Sequence, residues 1–212
     1  MADPSAHYYE PSQGHGLRHD PLTAIIAPRP IGWISTLSRN GVVNLAPYSF
    51  FNAVSEDPHF VMFASGGRKD SQRNAEETGE FVCSLATYGL REAMSKTSAA
   101  VGPEIDEMRL AGLTPARSRL VAPPRVAESP VAFECRYWRT IELPGRNGAA
   151  SGHAIVLGQV VGVHIADEAI VDGRVDVTRL KPLARLGYGD YAVIDEVFTL
   201  PRPGARGRGA AQ

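Results

Sequence analysis

Ile31-Gly32-Trp33-Ile34-Ser35-Thr36-Leu37, then Ser38-Arg39-Asn40-Gly41, then Val42-Val43-Asn44-Leu45-Ala46 is the stretch that decides the fold. The first run alternates, with Ile31, Trp33 and Ser35 on one side. Asn40-Gly41 accepts the positive φ angles of a tight hairpin, and Val42 to Ala46 returns as the partner strand. Outward from this hairpin the pattern stays mostly β. Leu22 to Ala27 is a short apolar run, taken as a first strand and stopped by Pro28-Arg29-Pro30. Phe60 to Phe63 reads as a buried strand. Asp70 is placed to cap a helix running to Glu77, with Gly79 at its end, and Glu80 to Leu85 follows as a strand. Gly89 to Ala99 and Asp106 to Leu110 have helical spacing. Val131, Phe133, Cys135 and Tyr137 alternate along a strand to about Leu143, and His153 to Ile165 is its long neighbour.

No repeat or linker divides the chain. Residues 1–200 are therefore predicted to form one domain, mainly β with peripheral helices. Residues 1–20 form an extended arm at its start, and residues 201–212 are too poor in apolar groups to order.

The 212 residues carry 22 Lys+Arg against 23 Asp+Glu, a formal net charge of −1. That balance excludes nucleic acid as the main partner, which calls for a basic excess. Cys83 and Cys135 lie in apolar runs and are too few for a disulfide framework or a zinc cage, so a reduced, cytoplasmic chain is expected. No segment reads as a signal peptide, and no apolar run approaches the roughly 20 residues of a membrane helix. No metal site is expected: His15 and His19 are four apart, but Gly16 interrupts any helix there. There is no P-loop. Gly187-Tyr188-Gly189-Asp190-Tyr191-Ala192 matches a dinucleotide fingerprint in letters only, without a βαβ unit around it.

Three pieces carry chemistry. Trp33-Ile34-Ser35-Thr36 sets an aromatic ring and two hydroxyls at the end of a strand. Asn44-Leu45-Ala46-Pro47-Tyr48-Ser49-Phe50 mixes small, hydroxyl and aromatic residues, which suits a flat ring with a polar edge. Ser65-Gly66-Gly67-Arg68-Lys69-Asp70-Ser71, continuing to Asn74, follows a buried strand and opens a helix. Its glycines, cations, hydroxyls and helix-start N–H groups suit a phosphate. Taken singly, the same pieces also fit a hairpin, an aromatic-rich core and a capped surface helix.

Together, Pro28-Arg29-Pro30-Ile31-Gly32-Trp33-Ile34-Ser35-Thr36, Asn44 through Phe51, and Lys69-Asp70-Ser71 with Asn74 resemble the flavin reductase-like family, which includes flavoredoxin and the flavin reductases of two-component monooxygenases. The later segments Val131 to Cys135, His153 to Val160 and Pro182 through Tyr191 extend the resemblance across roughly Tyr8 to Leu200. It implies a Greek-key, FMN-binding split β-barrel that works as a homodimer. It implies that Trp33, Ser35, Thr36, Asn44, Ala46, Pro47, Tyr48, Ser49 and Phe50 lie along the flavin ring and ribityl chain. Ser65, Arg68, Lys69, Ser71 and Asn74 would surround its phosphate. Many members have Asp-Thr where this chain has Asp70-Ser71, and serine keeps the hydroxyl.

The expected activity is hydride transfer from NADH or NADPH to FMN, the reduced flavin serving a partner monooxygenase or another acceptor. The rival expectation is an FMN-binding electron carrier without its own nicotinamide site. His153 is the candidate for positioning the nicotinamide, or else a packed or solvent-facing strand residue. Arg185, Tyr188 and Tyr191 either close the pocket or pack the C-terminal loop on the barrel.

Overall fold

The computed structural model describes residues 6–201 and Pro203, so nearly all of the tail expected over 201–212 lies outside the described residues. The chain enters through helix α1 (Leu22–Ile25) and the short strand β1 (Arg29–Pro30). Strands β2 (Gly32–Leu37), β3 (Val43–Tyr48), β4 (Phe51–Glu56) and β5 (His59–Gly66) follow. Then come helix α2 (Asp70–Thr78), strand β6 (Glu80–Leu85), and helices α3 (Arg91–Lys96) and α4 (Glu107–Leu110). The two-residue strands β7 (Pro115–Ala116) and β8 (Arg125–Val126) pair with each other. The long strands β9 (Val131–Pro144) and β10 (Ala150–Ile165) come next, then β11 (Ile170–Val171), β12 (Arg174–Val175), α5 (Val177–Leu180), β13 (Leu183–Arg185) and β14 (Tyr191–Val193).

Seven strands form one antiparallel sheet in the order β3-β2-β6-β9-β10-β5-β4. Its two outer strands, β3 and β4, are consecutive in the chain and joined only by Ser49-Phe50. The sheet therefore curls until its edges meet: the Ala64 N–H donates to Phe50 O at 2.8 Å, and the Tyr48 and Phe63 rings lie 4.8 Å apart. The inside of the curl is filled by Ile34, Phe63, Phe81, Cys83, Cys135 and Val156. Gly158 belongs there because a Cβ would fall 2.3 Å from the Phe81 ring.

The β2–β3 hairpin forms as read, with Gly41 at φ +79° and Ser38 donating to Val42 O. Strand β2 separates two cores. Ile34 faces the barrel interior, while Ile31 and Trp33 face a second core with Leu45, Met94, Met108 and Val126 under α3 and α4. The alternation predicted for Ile31 and Trp33 is thus real, and both of its faces are buried.

Three local expectations need correction. Leu22–Ile25 is a helical turn rather than a strand, because Arg29 donates from one guanidinium to the carbonyls of Thr23 and Ile26. Lys69, not Asp70, occupies the N-cap position of α2; Asp70 is its first residue and pairs with Arg73. The helix expected over Gly89–Ala99 is a 3₁₀ turn, Tyr88–Leu90, followed by the shorter α3.

The pairing of β9 with β10 carries a bulge at Val161. Val160 opposes Cys135, and Gly162 opposes Glu134, so Val161 is the extra residue. Val160 packs on the barrel interior, whereas Val161 packs with Val82 and Ala132 on the outer face. The bulge keeps Gly162 and His164 on that outer face too.

Candidate functional site

A cleft of about 680 Å³ opens where the barrel edges meet and α2 begins. One wall is the end of β3 and the link after it: Asn44, Ala46, Pro47, Tyr48, Ser49 and Phe50. The opposite wall is Gly66, Arg68, Lys69, Asp70 and Ser71. Thr97 to Val101 and Glu107 form the floor and side, and His153 stands at the rim. The two sequence segments read as ring-edge and phosphate chemistry therefore share one cavity.

The end of the cleft at Lys69 is built by the start of α2. Its N-cap residue Lys69 makes no side-chain cap bond among the described residues, and the first N–H groups of a helix lack intrahelical partners and favour an anion. Lys69 is exposed and forms no ion pair among the described residues. Arg68 lines the cleft too, but its guanidinium grips Glu76 with bonds of 3.0 and 2.7 Å. Burial pushes the Glu76 carboxyl up, yet the bonds from Gln72, Arg68 and Thr140 outweigh it and hold the group below the usual range.

Behind Lys69, polar side chains weld the hairpin to the helix. Asn44 Nδ2 donates to Ser71 Oγ at 2.8 Å and to Thr36 Oγ1 at 3.3 Å. Asn74 Nδ2 donates to the same Thr36 oxygen at 3.1 Å. Burial pushes the Tyr48 hydroxyl pKa up, against the pull of the neighbouring Ser71 and Ser65 hydroxyls. Ser65 Oγ also donates to Gly67 O, shaping the glycine turn.

Several expected contacts are thereby withdrawn from the cleft. Trp33, Ser35 and Thr36 are fully buried. Trp33 Nε1 donates to Thr97 Oγ1 at 2.8 Å, and Ser35 Oγ donates to Pro124 O. Ser65, Thr36 and Asn74 support the cleft from behind. Arg185 lies outside it, over the Tyr191 ring at 4.4 Å and opposite Arg29 in register. For Trp33, Ser35 and Thr36 the reason is that β2 is a central strand, so its side chains fill cores on both faces; Arg185 belongs to the separate β1-β13-β14 sheet.

His153 reaches the cleft because its strand partner is Gly66. A Cβ on Gly66 would sit 3.2 Å from His153 Nε2. Nδ1 donates to Ser151 O at 3.1 Å, which in the neutral ring leaves Nε2 as an acceptor.

Glu107 was read only as part of a short helix, and it is the main residue that sequence reasoning missed. It is 6% exposed, lines the cleft, and accepts the Leu45 N–H at 3.0 Å. That bond closes the outer edge of β3, where Pro47 offers no N–H. Burial pushes the Glu107 carboxyl above its usual range, against the opposing pull of backbone N–H groups. The folded state therefore takes up this proton more readily than the unfolded chain. The resulting stability is complete below the unfolded pKa and is lost as pH rises through the raised value. Glu107→Gln keeps an oxygen for Leu45 and removes that loss, so its advantage over the parent should grow as pH rises through the carboxylate range. Glu107→Ala strands the Leu45 N–H and should cost about 1–3 kcal/mol. Urea midpoints on both sides of that range measure both effects.

The donors and dimensions of the cleft fit FMN. Lys69, the uncapped turn and Ser71 suit its phosphate, and the half-exposed Phe50 with the Ala46–Ser49 backbone suits its ring.

Comparison with known proteins agrees. The family model for a flavin reductase like domain matches residues 26–181. The chain is 37% identical over 189 residues to the uncharacterised protein YwrF of Bacillus subtilis, covering 86% of this chain and 91% of that one. Nitrilotriacetate monooxygenase component B from Bacillus cereus superposes with a TM-score of 0.81 at 33% identity, over 94% of this chain and 98% of that one. A protein with a split barrel domain from Shewanella frigidimarina shares the fold, with a TM-score of 0.79 at 22% identity over 93% and 100% of the two chains. With hairpin, cleft and sequence all in agreement, this chain belongs to the flavin reductase-like domain family.

Proposed function

We propose that this protein is an NAD(P)H-dependent flavin oxidoreductase that holds FMN in the cleft between β3 and α2. The observation that carries the reading is the meeting of a ring-sized wall, Ala46 to Phe50, with a phosphate end at Lys69 and Ser71 in one cavity. Bound there, the flavin supplies the hydride acceptor at N5.

The protein's part is positioning. Lys69 and the first turn of α2 anchor the phosphate. The Ala46–Ser49 backbone lies along the ring edge, and the Glu107 bond to Leu45 keeps that strand in place. His153, fixed in tautomer by Ser151, orients the nicotinamide at the open side. Hydride transfer between two cofactors asks for alignment rather than an acid–base triad.

The likeness to nitrilotriacetate monooxygenase component B supports a partner oxygenase as acceptor. We also infer a homodimer. The outer part of β9 leaves Trp138, Ile141 and Leu143 exposed, an apolar run that association would cover. Two free, buried thiols support a cytoplasmic setting. Among the described residues no helix is long and apolar enough to cross a membrane.

The test is the visible absorbance of the FMN-loaded protein under anaerobic conditions, before and after NADH and then NADPH. Bleaching faster than a protein-free control is the expected result, and it identifies the donor. A perturbed flavin spectrum that neither donor bleaches would overturn the reductase reading in favour of an electron carrier.

A further inference from the structure

A second cavity, about 650 Å³, lies under the loop that carries β7 and β8, against the far end of β10. His153 marks the flavin cleft, and His164, eleven residues later on the same strand, marks this cavity. At the rise of an extended strand the two are on the order of 30 Å apart.

Its chemistry is basic. Residues 114–127 contain Arg117, Arg119 and Arg125 and no acidic residue. None of the three forms an ion pair among the described residues. Arg119 and Arg125 line the cavity, and the Nε of Arg125 is buried without a hydrogen-bond partner among the described residues. The one carboxylate in the lining is Glu134, fully buried. It accepts the N–H groups of Arg119 at 2.8 Å and Leu120 at 2.6 Å, together with His164 Nε2. Its oxygens are therefore bonded from within the wall; Arg125 gives one N–H to Arg117 O at 3.4 Å, and the remaining guanidinium N–H groups of Arg119 and Arg125 are left for something else.

The cavity is also held in shape. Ser35 and Ser118 bond to the carbonyls of Pro124 and Pro123, Glu80 accepts the Ala122 N–H, and Val126 donates to Ser84. The Val161 bulge puts His164 beside Glu134 on the outer face. Strand irregularities of this kind gather beside functional sites, where they re-aim a side chain.

We infer that this cavity is a second binding site, separate from the flavin cleft, for a small anion whose phosphate or carboxylate oxygens are gripped by Arg119 and Arg125. A planar guanidinium fork matches either group, and the volume suits a small molecule rather than a macromolecule.

Calorimetric titration of the FMN-saturated protein with inorganic pyrophosphate and, separately, malonate tests this. FMN saturation keeps the probes out of the cleft. Saturable binding of at least one probe is expected, and the stronger probe tells phosphate from carboxylate. The Arg119→Gln/Arg125→Gln variant should weaken it about tenfold or more while FMN affinity is unchanged. Arg119→Glu alone, at an exposed side chain, should act in the same direction and guards against misfolding of the double variant. No saturable binding of either probe would overturn the inference. So would equal binding by the arginine variants, or a loss seen only in Lys69→Ala.

Discussion

Trp33→Ala should lower stability by about 3–5 kcal/mol. For a domain of this size that is a fall in Tm of roughly 6–20 °C. The ring is fully buried among Ile31, Leu45, Met94 and Met108, and its N–H bonds Thr97. Trp33→Phe keeps most of the buried area and loses that one bond, so it should cost only about 1 kcal/mol. Thr97 begins the segment that forms one side of the cleft, so the smaller change should loosen that wall without removing any ligand contact. Thermal denaturation of the flavin-free protein measures the first effect. Flavin affinity of Trp33→Phe measures the second, and it should stay close to the parent value. A large loss of affinity there would mean that the ring meets the flavin directly.

Lys69→Ala combined with Ser71→Ala should weaken FMN binding by about 100- to 1000-fold. A charge-assisted hydrogen bond contributes about 1.5–3 kcal/mol and a neutral one about 1, with each 1.4 kcal/mol equal to a factor of ten. Lys69→Ala alone should give the larger share, because its ammonium is exposed and has no ion pair among the described residues. Ser71 lies behind it, and its removal takes an acceptor from Asn44. That change should show in denaturation midpoints as well as in affinity. Fluorescence titration with FMN, against riboflavin as a phosphate-free control, separates the two. Riboflavin affinity should be nearly indifferent to Lys69. If FMN affinity is unchanged in the double variant, the phosphate lies elsewhere.

The parts of this fold that were legible in the sequence are those where local chemistry and tertiary burial agree. Asn40-Gly41 needs left-handed backbone and stands between two apolar runs, and Glu80 to Leu85 is bounded by Gly79. β4 was not legible because its residues Asn52, Ala53 and Val54 are exposed on an outer strand and show no burial pattern. Leu22 to Ile25 misled because apolar content alone does not set a period, and a buried arginine from β1 holds its carbonyls in a helical turn.

The site followed the same division. Asn44 to Phe50 and Lys69 to Ser71 were found through their chemistry and do meet. Trp33, Ser35 and Thr36 carry the right groups, but a central strand has no free face to offer them. Glu107 was invisible for the opposite reason. Its role is a bond to a backbone N–H sixty-two residues away, and no spacing in the sequence announces that.

The extra residue at Val161 gives the strand room to lose one residue without turning its far half over. Removing Val161 would restore strict alternation after Val160, with Gly162 still opposite Glu134 and His164 still on the outer face beside it. The flavin cleft, at the other end of the strand, would keep every one of its side chains. One deleted codon would take away the outward Val161 side chain on Val82 and Ala132 and leave the Glu134–His164 contact in place. The bulge is thus one residue of slack in the strand that joins the two cavities, and taking it up shifts the register of neither.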